Sequence, residues 1–156
     1  MLLAIDTAAG TSVAVVESGN VLSVHSVEDT RRHAEVIGDL IQRSLADARA
    51  EVSDLTGVAV GMGPGPFTGL RVGIAAAEAF ANGAGLPLLR VASHDAVAFQ
   101  HADADPEASH GSAGLLITTD ARRQERYWSA YQGVDLNGIP HRVAGPEIGR
   151  AEIADT

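Results

Sequence analysis

The sequence predicts an α/β fold built from a duplicated unit, with a complete first lobe and a second lobe truncated to about three strands. Two observations support this prediction. Short apolar segments of strand length alternate with longer segments of helical periodicity. The opening segment Leu2-Leu3-Ala4-Ile5-Asp6 also returns as Leu115-Leu116-Ile117-Thr118-Thr119-Asp120, and such self-similarity indicates an internal repeat.

Three strands are expected to open the first lobe. Residues 2–5 are continuously apolar, which is typical of a strand at the centre of a sheet. Residues 11–17 and 21–27 are rich in β-branched side chains and flank the turn signal Ser18-Gly19-Asn20. We therefore expect a hairpin beside the first strand.

An amphipathic helix is expected over residues 33–49. Its polar side carries Glu35, Asp39 and Arg43, and the spacing of Asp39 and Arg43 favours an ion pair. Its apolar side consists of Val36, Ile37, Leu40, Ile41, Leu45 and Ala48.

A loop rich in glycine and proline separates a predicted strand at 58–60 from a second helix over 69–81. Thr68 is the candidate N-cap of this helix, and Asn82-Gly83 is its expected end. The loop has the character of an anion cradle at a helix N-terminus. However, Pro64 and Pro66 have no N–H to donate, and the Walker lysine is missing. A rigid turn that aims the helix is therefore favoured over a phosphate site.

Small residues recur at every fourth position of the second helix, namely Gly69, Gly73, Ala77 and Ala81. They form one stripe that is nearly free of side chains. Glycine destabilises a helix interior by roughly 0.8–1 kcal/mol relative to alanine, so Gly73 suggests that a close approach is needed. The stripe can receive the backbone of a second protein, or it can belong to a plain internal helix between two layers.

A fifth strand at 88–91 and a third helix over 93–100 are expected to complete the first lobe. Residues 101–112 are polar, contain Pro106 and are interpreted as a surface linker. The predicted division is a first lobe at 1–101, a linker at 102–113 and an incomplete second lobe with a tail at 114–156.

The second lobe repeats the pattern of the first. Residues 126–131 echo the second strand, and Asn137-Gly138 predicts a hairpin to a third strand at 139–143. Along the middle strand, Tyr127 and Tyr131 share one face and Trp128 lies on the other. No further helices are expected, and residues 144–156 cannot replace them.

Composition excludes several mechanisms. The chain has 46% hydrophobic and 20% charged residues and a net charge of −9, as in an ordinary acidic globular protein. It has no cysteine, and its 11 basic residues are all arginine. A Schiff-base lysine, a thiol nucleophile, a disulfide and a cysteine-ligated zinc are therefore excluded. Such an acidic protein is a poor candidate for binding nucleic acid unaided. No signal peptide or membrane span is recognisable, so a cytoplasmic location is expected.

Two aspartates lie at matching strand ends, Asp6 and Asp120. If the two lobes face each other, these carboxylates and Thr11 can line a nucleotide cleft and hold a metal-bound nucleotide. Alternatively, each aspartate only caps its own turn. The six histidines do not cluster, and no metal site or nucleophile is expected. An actin-like ATPase or phosphotransferase therefore stands as the alternative to a binding subunit.

Four segments together resemble the TsaB (YeaZ) family over most of the chain. They are Leu3-Ala4-Ile5-Asp6-Thr7-Ala8, Thr11-Ser12-Val13-Ala14, Gly63-Pro64-Gly65-Pro66-Phe67-Thr68-Gly69-Leu70-Arg71, and Asp120-Ala121-Arg122 with Tyr127-Trp128-Ser129-Ala130-Tyr131. The resemblance implies an actin-like (ASKHA, RNase H-like) duplicated fold with mixed sheets. It also implies a non-catalytic dimerisation subunit in the formation of threonylcarbamoyladenosine at position 37 of tRNA.

The resemblance further implies the partners of such a subunit. These are the catalytic paralogue TsaD, the ATPase TsaE, a second copy when the chain is alone, and tRNA only indirectly through the complex. It places the contact on the helices 33–49 and 69–81. The implied interface residues are His33, Val36, Ile37, Leu40, Ile41, Gly69, Leu70, Gly73, Ile74, Ala77 and Ala81, and the motif loop comprises Gly63, Pro64, Gly65, Phe67, Thr68 and Arg71.

The chain resembles the scaffold subunit rather than the enzyme, and it departs from its own family in two ways. The catalytic paralogue holds its metal with two histidines four residues apart, and the matching positions here are Ser93 and Val97, which cannot chelate one. Met62 and Pro66 stand where the family usually has Arg and Ser. Relatives are also longer, with helices that complete the second lobe. No firm cofactor is implied, and ATP or ADP at the partner interface stays open.

Overall fold

The computed structural model describes residues 1–29, 32–105, 114–121 and 124–150, with the side chain of Arg150 excepted. The chain divides into two compact units, Met1–Val91 and Ala92–Thr156. None of the helices in the described ranges is long and apolar enough to cross a membrane.

The first unit is a five-stranded mixed sheet with two helices. Strands β1 (Leu2–Asp6), β2 (Thr11–Glu17) and β3 (Asn20–Val27) form an antiparallel meander. Strands β4 (Gly57–Gly61) and β5 (Leu88–Val91) continue the sheet in parallel with β1, so that the strand order is β3-β2-β1-β4-β5. Helix α1 (His33–Asp47) connects β3 to a 3-10 turn and β4, and helix α2 (Phe67–Ala84) connects β4 to β5.

Both helices cover the same face of this sheet. Residues that pair with one another across the three central strands lie on the same face of the sheet. Along each of these strands, every second residue lies on this face and is buried. The helices add Ile37 and Leu40 from α1, and Ala77 and Ala81 from α2, to the same core. The strand residues of this core are Leu3, Ile5, Val13, Val15, Val58 and Val60.

The second unit is a three-stranded antiparallel sheet with one helix. Strands β6 (Leu115–Asp120), β7 (Glu125–Val134) and β8 (Pro140–Arg150) form a meander like that of β1 to β3. Helix α3 (Ser93–Ala104) packs on this sheet, where Ala98, Ile117 and Tyr131 form a small core. Each strand and helix of the two units lies where the sequence predicts an element of that type, with several differences in their bounds.

The ends of α2 differ from the prediction. The helix begins at Phe67, Pro66 occupies the N-cap position, and no side chain caps the helix, so Thr68 is not the N-cap. The helix continues through Asn82 and Gly83 and ends where Gly85 adopts a left-handed conformation with φ 68°. The missing Cβ of Gly85 makes this conformation accessible.

The boundary between the units also differs from the predicted one. Helix α3 extends to Ala104 and packs on strands β6, β7 and β8, so the division lies between Val91 and Ala92 rather than after residue 101. Strand β8 is longer than predicted and continues to Arg150. The greater part of the predicted linker, residues 106–113, and the tail from 151 onward lie outside the described residues.

Candidate protein-interaction surface

The motif loop packs closely against the turn between β1 and β2. A Cβ added to Gly65 would lie 2.7 Å from the carbonyl oxygen and 2.9 Å from the Cα of Ala8. Gly63 has φ +85°, and a Cβ there would lie 2.8 Å from Leu70 Cδ1. Backbone atoms of Ala8 therefore exclude a side chain at position 65, and the left-handed backbone conformation favours glycine at position 63. The geometry fits the rigid turn that the sequence favours.

The small-residue stripe of α2 is covered by the chain itself. Gly69, Gly73, Ala77 and Ala81 are the buried residues of the helix. A Cβ on Gly69 would lie 2.8 Å from Nε2 of His33, and one on Gly73 would overlap Oγ1 of Thr7. The expectation that this stripe receives another protein is therefore wrong, because Thr7, which follows β1, and His33 of α1 already fill the space beside it.

A buried polar cluster fixes the N-terminal halves of both helices to the sheet. The Thr7 hydroxyl donates a hydrogen bond to the carbonyl oxygen of Gly69 at 2.9 Å. Oγ1 of Thr11 lies 2.7 Å from Nδ1 of His33, and both residues are buried. Because Thr11 is fully buried in this contact, its hydroxyl is not available to a ligand, and its assignment to a nucleotide cleft is wrong.

The two aspartates have different surroundings. Oδ1 of Asp6 accepts a hydrogen bond from the N–H of Ala8 at 2.7 Å, which is the turn-capping arrangement that the sequence left as an alternative. Asp120 is exposed at the end of β6, opposite Arg126, and belongs to the second unit. Within the residues that the structure describes, no group of three or more His, Cys, Asp or Glu side chains could hold a metal ion.

Most residues of the predicted interface are buried in the first unit. Val36, Ile41, Leu70 and Ile74 are partly exposed and can contribute to a contact surface. The others support the fold and cannot touch a partner without rearrangement, namely His33, Ile37, Leu40, Gly69, Gly73, Ala77 and Ala81.

The outward side of α2 carries a second line of small residues. Ala75, Ala79 and Gly83 are exposed and lie four residues apart. They continue the same spacing that Phe67 and Arg71 begin. Phe67 is 74% exposed, and the guanidinium of Arg71 lies 5.3 Å from the centre of its ring. We call the set of Phe67, Arg71, Ala75, Ala79 and Gly83 the outer face of α2. The sequence contains this spacing too, but Gly69 and Gly73 make the neighbouring stripe the stronger signal of a close contact.

Helix α1 lies beside α2 and is firmly attached to the sheet. The hydroxyl of Ser44 donates to the carbonyl oxygen of Val13 at 3.1 Å, and the hydroxyl of Ser23 donates to the carbonyl oxygen of Ser44 at 2.6 Å. The outward side of α1 includes Ala34 and Gly38, and a Cβ on Gly38 would meet nothing within 4 Å. The two helices thus present a fixed surface on one side of the first unit.

Comparisons with known proteins point to one group. The family model described as TsaD, tRNA N6-adenosine threonylcarbamoyltransferase, matches residues 23–146. An uncharacterised protein of Mycobacterium tuberculosis is 38% identical over 157 residues, covering 99% of this chain and 67% of that protein. The tRNA threonylcarbamoyladenosine biosynthesis protein TsaB of Escherichia coli is 37% identical over 153 residues, covering 94% of this chain and 63% of that protein.

A solved structure gives the same result. YeaZ from Pseudomonas aeruginosa superposes with a TM-score of 0.79 at 28% identity, covering 94% of this chain and 66% of that one. This match confirms the predicted fold class. The chain spans about two thirds of the length of these relatives.

Proposed function

This chain belongs to the TsaB (YeaZ) family, and we propose that it acts in tRNA threonylcarbamoyladenosine biosynthesis as a non-catalytic subunit. In this proposal it binds the catalytic paralogue TsaD, is joined by the ATPase TsaE, and supports modification of position 37 of tRNA. Family membership supports the pathway. The net charge of −9 is consistent with tRNA contact only through the partner.

The outer face of α2 is the observation on which the binding role rests. An exposed helix face in a globular protein normally carries charged side chains, whereas Ala75, Ala79 and Gly83 leave this one almost bare. At its N-terminal end stands an exposed aromatic ring with an arginine stacked on it. Aromatic and arginine residues are the types that most often dominate binding energy in interfaces, and small residues let a partner helix come close.

The non-catalytic part of the proposal rests on residue types and on burial. Ser93 and Val97 stand where the paralogue has its metal-binding histidines, and neither can hold a metal. Thr11 is enclosed, and Asp6 accepts a hydrogen bond from its own turn. An ATPase would instead need these groups to face a nucleotide. Saturable heat on addition of Mg-ATP, with turnover lost in Asp6→Asn, would favour that alternative.

A charge placed on the outer face of α2 tests the proposal. We expect Ala75→Glu to weaken binding of TsaD by about tenfold or more, because the carboxylate must be desolvated between the two proteins. Ala75 is exposed, so the substitution leaves the core of the first unit intact. Affinity can be measured by biolayer interferometry with immobilised TsaD.

Ala96→Glu is the matched control. Ala96 is an exposed alanine in helix α3 of the second unit, and the substitution makes the same change in charge and helix propensity. Its affinity for TsaD should equal that of the unsubstituted chain. Equal, undiminished binding by folded Ala75→Glu protein would refute the assignment of the contact to α2.

A further inference from the structure

The first turn of helix α3 is attached to the three strands of the second sheet through two adjacent residues. Nε2 of His94 lies 2.9 Å from Oγ1 of Thr119 on β6, and Nδ1 lies 2.9 Å from Oγ of Ser129 on β7. Asp95 accepts a hydrogen bond from the hydroxyl of Tyr131 on β7 at 2.7 Å. The same carboxylate lies 3.6 Å from Nε of Arg142 on β8. These contacts are independent of the family's proposed role.

The imidazole of His94 occupies a closed site. The residue is 1% exposed, and Ser129 is fully buried. A neutral ring has one N–H donor and one acceptor nitrogen, and two hydroxyl groups can satisfy either tautomer because each can donate or accept. A protonated ring would place a positive charge where water cannot reach it.

The surrounding charges do not fully compensate for that burial. Burial lowers the pKa of His94, the nearby Asp95 carboxylate raises it, and Arg142 lowers it further. Nη1 of Arg142 is itself buried without a hydrogen-bond partner among the described residues, so a cation is already held in this region. Tyr131 stays neutral, because burial and its bond to Asp95 both raise its pKa. On β6, the titratable Asp120 is exposed at the strand end and alternates to the face opposite Thr119.

We propose that His94 is a proton-operated latch that holds α3 on the sheet while its ring is neutral and loosens the helix when the ring is protonated. A histidine whose pKa is lower in the folded than in the open state stabilises the folded state fully above its ordinary value of 6.5. That contribution is lost as the pH falls from 6.5 through the folded-state pKa. Acidification below this value therefore weakens the attachment of α3 to the second sheet.

Two measurements on the unsubstituted chain test the latch. An NMR titration of the histidine rings should place the pKa of His94 below 6.5. Hydrogen exchange of α3 amides, corrected for the intrinsic rate, should accelerate between about pH 7.5 and 5. The acceleration should reach up to about tenfold for each pH unit by which the pKa lies below its ordinary value.

Matched glutamine variants complete the test. His94→Gln should remove the pH dependence of α3 exchange, whereas His25→Gln, which changes a more exposed histidine paired with Asp47 in the first unit, should leave it in place. A His94 pKa at or above 6.5 would overturn the proposal without any variant. So would α3 exchange whose pH dependence is unchanged in folded His94→Gln protein.

Discussion

Thr7 is the residue that requires glycine at position 73 of α2, and His33 has the same effect at position 69. Thr7 follows β1, its hydroxyl donates to the carbonyl oxygen of Gly69, and its side chain fills the space beside Gly73. Two glycines in one helix lower its intrinsic stability, and the close contact with a buried strand end offsets that loss. Gly69 and Gly73 are thus explained by packing inside the first unit.

Gly73→Ala tests this explanation. The added methyl group would overlap Oγ1 of Thr7 and lie 2.8 Å from its Cγ2, so we expect unfolding free energy to fall by about 1–3 kcal/mol. The measurement is urea unfolding followed by circular dichroism. The double variant Gly73→Ala with Thr7→Ala should lose less unfolding free energy than the two single variants together. The reason is that the added methyl group no longer overlaps the Thr7 side chain.

The control for that experiment is Gly38→Ala in α1. A Cβ at this position meets nothing within 4 Å, so alanine should raise stability by roughly 0.8–1 kcal/mol through helix propensity alone. If Gly73→Ala stabilises the chain as much as Gly38→Ala does, Thr7 does not pack closely against α2.

At the scale of elements, patterns of short range predict most of the first unit. Strand β5 is found where the sequence predicts it, at Leu88–Val91, and α1 begins at His33 as expected. These elements are encoded by apolar periodicity and by turn residues close to them in sequence. The fold class and the repeated meander follow from the same patterns.

The orientation of α2 could not be predicted in this way. Its sequence carries small residues at 69, 73, 77 and 81 and again at 75, 79 and 83. Two faces of one helix are therefore lined by small residues. Which line faces the sheet depends on Thr7 and His33, which are distant in the chain and reach α2 only after folding. The attachment of α3 to the second sheet likewise depends on Thr119 and Ser129, which give no local signal in sequence.

The outer face of α2 leads to a prediction about Phe67. Its ring is 74% exposed, so Phe67→Ala should change unfolding free energy by less than about 0.5 kcal/mol. If the ring anchors the proposed contact, the same change should weaken TsaD binding by more than about 1 kcal/mol, or roughly fivefold. Leu136→Ala is the control, since Leu136 is a fully exposed apolar residue in the turn between β7 and β8. Equal effects of the two substitutions on affinity would exclude Phe67 as an anchor.

At the scale of the whole molecule, one surface is proposed to serve two alternative partners. Helices α1 and α2 form the layer on one side of the first sheet. In the absence of TsaD, a second copy of the chain can place its own α2 against this layer, as an isologous contact around a two-fold axis. A contact of this kind is expected to compete with the binding of TsaD, because both are proposed to use the outer face of α2.

Light scattering of the isolated chain tests this competition. We expect a mass that rises from one copy towards two with concentration, and Ala75→Glu should keep the chain monomeric, because the symmetric contact brings two added carboxylates together. Raising the salt concentration should partly restore the dimer of the variant by screening this repulsion, whereas Ala96→Glu should dimerise normally.

TsaD should convert the homodimer into a heterodimer rather than bind to it. A stable complex that contains two copies of this chain together with TsaD would show that the two contacts use different surfaces. A dimer unaffected by Ala75→Glu would place self-association away from α2.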